Sequence, residues 1–289
     1  MKKIFFLLVI LSIYSSCYAA GWKSLHEKAD HLTLEQALSA AARNNSSLDD
    51  QYVLGLVYLN LHKDKDAQVV FLSMLTANPG LIEARWGEAE VSRRRHELDA
   101  AEKACEKIIS LNPDFSPAYV TLAFIKYLRM DFTGAVKLAT KVIRQGRGKV
   151  DLSNYARAYS LLAGANGMIA HYGGPISKAI NGAQVMPNLR RAQSLEPESA
   201  GVLFGLGSYY FLAPGIIGGD LNKAQDYLKK AIKADPFFSD AYVRLAQVYK
   251  VKGDIKEYEL YLAKVIAIDP QNELALDIKN NKCKFICKD

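Results

Sequence analysis

Proline returns in this chain at a fixed interval. Pro79 and Pro113 lie 34 residues apart, and so do Pro236 and Pro270. Small and large residues return in the same phase. Residues 48–81 carry Leu54, Gly55, Tyr58, Ala67, Phe71 and Pro79. Residues 82–115 carry Ala89, Ala101, Cys105, Ile108 and Pro113. A third unit opens at Ser116 with Tyr119, Leu122, Ala123, Ala135, Ala139 and Val142, and places Arg147 where the proline is due. The last full unit opens at Ser239, with Tyr242, Leu245, Ala246, Tyr249, Leu262, Val265 and Pro270. A short interval repeated in register specifies stacked supersecondary units, each burying its apolar face against the next. The small residues let the two helices of one unit approach closely, the large ones fill the space between units, and proline ends the second helix.

These units resemble the tetratricopeptide repeat over residues 48–271. The resemblance implies an all-α helix–turn–helix solenoid, a right-handed superhelix of about six helix pairs. It also implies that the first helix of each unit lines a concave face. The positions that would point into that groove include Tyr52, Leu56, Trp86, Glu90, Arg93, Val120, Phe124, Tyr127, Phe204 and Phe211. Repeats of this kind that clamp a carboxylate tail use Lys and Asn there. This chain has mostly aromatic and aliphatic residues, so the implied partner is a protein or peptide, an amphipathic helix or extended segment, with Arg93 and Arg94 ready for an acidic group.

Two units are stretched. From Ala163 to Pro197 the fourth is ten residues longer than the common spacing, and from Gly207 to Pro236 the fifth is five longer. Both additions fall between the helices of a unit, as inserted loops near 172–187 and 213–219. Gly173-Gly174-Pro175 in the first parallels Gly218-Gly219-Asp220 in the second, where Pro214 stands just upstream. Glycine pairs admit backbone angles other residues resist, Pro175 suits a first helical position, and Asp220 suits an N-cap. The string Ala213, Pro214, Gly218, Gly219, Asp220, Lys223, Ala224 resembles exported bacterial repeat proteins, some of them lipoproteins associated with TRAP-type solute transporters. That resemblance implies an alternative role, docking to a periplasmic solute-binding protein or holding a small apolar ligand.

The ends read differently from the array. Residues 1–20 place Lys2 and Lys3 before an apolar run, Ile4 to Ile13, then small residues up to Ala19 and Ala20. This is the order of a secretory signal peptide, and the run is shorter than the ~20 residues of a membrane span. The alternative is lipidation at Cys17, for which Tyr14 is a poor residue three positions ahead; only then is a membrane partner expected. Residues 21–47 form a leader in which Thr33-Leu-Glu-Gln36 is a capping box opening a helix to about Arg43. Residues 272–289 form a short capping helix and a basic tail, in which Cys283 and Cys287 are a candidate disulfide in an oxidising compartment. Cys105 sits on an apolar helix face as a small hydrophobe.

No chemistry is signalled. His26-Glu27 and His31 lack the spacing of a zinc-protease helix, the glycine strings lack the Gly-Lys of a phosphate loop, and two cysteines do not make a zinc site. No serine elbow or Cys–His arrangement is present. The expectation is a non-enzymatic chain with no catalytic residue, no metal and no cofactor. The net charge of +7, or +5 without Lys2 and Lys3, is spread along 289 residues; for an exported protein this is a solvated surface and not a nucleic-acid site.

Overall fold

Asparagine or aspartate precedes the proline at four of the unit boundaries, and this dipeptide makes the turn. Asn78, Asn112, Asp235 and Asp269 are extended, as the residue before a proline must be. Each side chain accepts a hydrogen bond from the backbone two residues on, at Gly80, Asp114, Phe237 and Gln271, over 2.9–3.1 Å. At the third boundary, where no proline stands, Gly146 ends the helix with φ +79°.

The computed structural model describes residues 21–282, 284 and 285. Among them are fifteen α-helices and no strand. A leader pair, α1 (Gly21–Ala29) and α2 (Leu34–Ala41), precedes six helix pairs. These are α3 (Leu48–Asn60) with α4 (Asp64–Ala77), α5 (Ile82–Arg94) with α6 (Leu98–Leu111), and α7 (Ser116–Leu128) with α8 (Phe132–Gln145). Then follow α9 (Leu152–Tyr172) with α10 (Pro175–Leu195), α11 (Ala200–Leu212) with α12 (Leu221–Ala234), and α13 (Ser239–Val251) with α14 (Ile255–Ile268). α15 (Glu273–Lys279) follows the last pair. Residues 1–20, read above as a signal peptide, with Cys17 among them, and Cys283 and Cys287 lie outside the described residues. No described helix is long and apolar enough to cross a membrane.

Packing follows the small–large rule. The Phe71 ring of α4 is fully buried and lies so close to Gly55 and Gly87 that a β-carbon on either would stand 2.4–2.5 Å from it. Cys105, Ala135, Ala139, Leu228 and Ala231 are likewise fully buried. Thr33 and Gln36 close a reciprocal capping box at the start of α2.

The fourth unit departs from expectation. Residues 172–187 are not an inserted loop: all but Gly173 and Gly174 extend the helices, so α9 and α10 are 21 residues each where their counterparts have 13 or 14. Pro175 starts α10 and nothing from 176 to 186 breaks a helix; Pro187 lies inside it. Gly173 and Gly174 have negative φ and need no glycine freedom. The fifth unit does carry a loop: Gly215–Ile217 forms a 3-10 turn, Gly218 has φ +103°, and Asp220 caps α12 through the backbone of Asn222 and Lys223.

The array curls far enough for its two ends to meet. His62, in the turn after α3, donates to Asp235 over 2.9 Å and its ring lies 5.3 Å from Phe237. His96, in the turn after α5, donates to Asp269 over 3.1 Å and to Glu273 over 2.7 Å. The first two units therefore rest on the turns that flank the last unit.

Candidate binding groove

α1 packs along the concave wall of the first four units. Its Trp22 meets Phe115 edge-on at 5.3 Å, and His26 lies 5.1 Å from Trp86. His26 Nε2 donates to the Tyr52 hydroxyl over 2.9 Å, and Asn154 Nδ2 approaches His26 Nδ1 at 3.4 Å. This pattern fits a neutral ring, and burial lowers the His26 pKa. Polar contacts fix the outer face of α1: Lys28 to Asp50 at 3.1 Å and Arg147 to Glu27 at 3.5 Å. Just beyond the helix, Ser153 donates to Asp30 over 2.9 Å.

Beneath α1 lies a buried charge network. Trp86 Nε1 donates to Thr121 Oγ1 over 3.1 Å, and Thr121 donates to Glu90 over 3.0 Å. Arg93 grips the same carboxylate with two bonds of 3.0 and 2.7 Å. Arg94 adds a third at 3.3 Å and also reaches Asp64 and the Leu59 carbonyl. Burial alone pushes the Glu90 carboxyl up; the Arg93 and Arg94 charges outweigh it and hold the group far below the usual carboxylate range.

The far half of the groove is closed by the C-terminal segment. Phe285 is buried and stacks on Tyr127 at 6.0 Å. Asp277 accepts from the backbone of Lys284 and Phe285, and Arg244 donates to the Phe285 carbonyl over 3.3 Å.

The sequence-assigned groove residues are thus mostly filled from within. Tyr52, Leu56, Trp86, Glu90, Val120 and Phe211 are buried, and Arg93 and Arg94 are engaged by Glu90 instead of standing ready for an acidic group. Phe124, Tyr127 and Phe204 remain half-exposed. Tyr127 belongs to the C-terminal contact, and Phe204 meets Phe238 at 5.2 Å. What stays accessible is a small cleft of about 80 Å³ lined by His26, Leu56, Trp86, Glu90, Asn154 and Arg157, among others. The Arg93 guanidinium lies 4.8 Å over the Phe124 ring. Arg157 is exposed, lines the cleft, and among the described residues makes no hydrogen bond or ion pair. Sequence reasoning passed over Arg157, which lies on α9 of the fourth unit.

Among the described residues no group of three His, Cys, Asp or Glu is placed to hold a metal. Burial pushes the Cys105 thiol well above its ordinary range, which makes it a poor nucleophile.

A family model for the tetratricopeptide repeat matches residues 217–238 and 239–272. The fold is that of a tetratricopeptide-repeat array. Among solved structures, the chain is similar to one from the APC/C hetero-tetramer Cut9–Hcn1, with a TM-score of 0.59 and 17% identity over 89% of this chain and 47% of that one. It is also similar to a tetratricopeptide repeat protein from Parabacteroides merdae, with a TM-score of 0.53 and 14% identity over 90% and 98% of the two chains. The chain spans about half the length of the first of these. At these identities the likeness is one of fold. No curated protein matches.

Proposed function

We propose that this tetratricopeptide array is an exported, non-enzymatic scaffold that holds a protein or peptide partner. The partner meets the part of the concave face that the chain's own ends leave open. The observation that carries this is the exposed Arg157 guanidinium, which lines the cleft and, like Arg93, acts on the Glu90 carboxylate, without a hydrogen bond or ion pair of its own among the described residues. An exposed guanidinium at the edge of a cleft walled by Leu56 and Trp86 suits an acidic side chain or terminal carboxylate flanked by an apolar residue. The basic-then-apolar order of residues 1–20 supports export. A small apolar ligand is the weaker reading, because the cleft has about 80 Å³ and polar walls, where such ligands need ~300 Å³ or more.

The test is a photo-crosslinking residue at Phe124 in the expressed full chain, with and without Arg157→Glu. A discrete adduct that the charge reversal abolishes supports the reading. An adduct indifferent to Arg157, or equally strong from a control position on the outer surface such as Lys233, overturns it.

A further inference from the structure

The free edge of the superhelix exposes a cluster of isoleucines. In the first two units the turns between paired helices are covered by the far end of the array, through His62 and His96. The equivalent turns of the fourth and fifth units have no such histidine clamp among the described residues. There the lengthened α9–α10 hairpin projects, with Ile176 at 77% and Ile180 at 62% exposure, and the neighbouring loop presents Ile216 at 95% and Ile217 at 56%. Ile176 and Ile180 are one turn apart, and with exposed Ala179 and Ala183 they form one apolar stripe on α10.

Tyr209 joins the two features. Its ring packs against the same buried cluster, Leu189 and Leu206 among it, as Val185 and Met186 of α10, and its hydroxyl donates to the Ile217 carbonyl over 2.6 Å. At 1.5 Å per residue, Ile180 lies about 8 Å and Ile176 about 14 Å along α10 from Val185. The isoleucines therefore share one edge.

The charge around them has one dominant sign. From 152 to 195 the chain has no Asp or Glu, and Lys178 stands between the two isoleucines. The basic C-terminal segment comes to the same tip, where the Tyr172 hydroxyl donates to the Lys284 carbonyl over 2.6 Å, with Lys282 and Lys284 both exposed. Asp220 is committed to capping α12, and Asp277 to the backbone of the tail.

We propose that this edge docks on an anionic lipid surface, with the isoleucines entering the headgroup–acyl boundary and Lys178, Lys282 and Lys284 meeting headgroup phosphates. Exposed apolar groups ringed by cations are the chemistry of interfacial membrane binding, and here it needs no lipid on Cys17.

The test is flotation of the full chain with vesicles of phosphatidylglycerol and phosphatidylcholine, against vesicles of phosphatidylcholine alone. Binding is expected on the anionic vesicles only and weakens as salt rises. Ile176→Asn with Ile180→Asn should lower the partition by about tenfold, and Lys178→Glu by about fivefold or more. Both variants change exposed positions, and an unaltered circular dichroism spectrum confirms that they fold. Binding that ignores these substitutions, or no binding to anionic vesicles, overturns the proposal. So does a concentration-dependent dimer in sedimentation that the isoleucine variant abolishes, which would assign the edge to a second copy of the chain.

Discussion

His96 and Asp269 share a hydrogen bond of 3.1 Å across 173 residues of sequence, and His62 and Asp235 repeat it one unit earlier at 2.9 Å, again across 173 residues. The equal separations mean that the superhelix closes in register. Each aspartate is also the residue that makes an Asx-Pro turn, using its carboxylate for the Phe237 or Gln271 backbone as well as for the histidine. In the first two units the same turn position is Asn78 or Asn112. The charged form occurs where a histidine meets it.

The clamp makes closure pH-dependent. The hydrogen bonds to Asp269 and Glu273 raise the His96 pKa to about 10. Its folded value lies above the unfolded one, ~6.5, so its contribution is complete below pH ~6.5 and is lost as pH rises through about 10. For Asp269, burial raises the pKa, but the His96 bond and charge outweigh it and leave the group lowered; that contribution is lost in acid. His96→Gln should cost about 1–3 kcal/mol near neutral pH and remove the alkaline loss of stability. Urea titrations across pH, with small-angle scattering to follow expansion, check both.

His26 carries the opposite sign. Burial lowers its pKa, so it contributes above pH ~6.5, and stability falls by about 1.4 kcal/mol per pH unit as pH drops from there towards the folded value. Both tryptophans of the chain, Trp22 and Trp86, lie beside His26. Acidification should therefore red-shift tryptophan emission before the helical signal is lost. His26→Phe should remove that early shift.

Trp86 and Phe124 should separate cleanly. Trp86 is buried, hydrogen-bonded to Thr121 and packed on Phe115. Trp86→Ala is expected to destabilise by about 3–5 kcal/mol, whereas half-exposed Phe124→Ala should cost about 1 kcal/mol. Chemical denaturation of the two variants measures this, and equal small losses would mean that Trp86 faces solvent.

Gly55→Ala tests the close approach within the first unit. The new methyl would meet the Phe71 ring at 2.4 Å, and overpacking of this kind costs about 1–3 kcal/mol. Phe71→Leu in the same background should recover part of the loss, because the smaller side chain vacates the ring's space. Thermal melts of the single and double variants report it.

Much of this was legible in the sequence. The proline period, the Gly55 that receives Phe71, the Thr33–Gln36 box and the cap at Asp220 are local or repeat in register, so a pattern reveals them; Gly87, on the other side of the same ring, falls outside that pattern. The filling of the groove was not. A concave aromatic such as Trp86 looks the same in sequence whether its neighbour is a partner or the chain's own Trp22 and His26, which sit in a nine-residue helix with no repeat pattern. The extension of α10 was hidden by Gly174-Pro175, which reads as a loop and in fact starts a helix. The His–Asp clamps depend on superhelical pitch, which no local motif encodes. Their trace was the recurrence of His62 and His96, and of Asp235 and Asp269, at the repeat spacing.

Occupation of the groove by α1 can be measured directly as amide hydrogen exchange in residues 21–29 of the intact chain. A seated α1 gives protection comparable to that of α3, on which it packs, and greater than that of the more exposed α2. Exchange of 21–29 at unprotected rates, while α3 to α14 stay protected, would contradict a groove filled by its own chain.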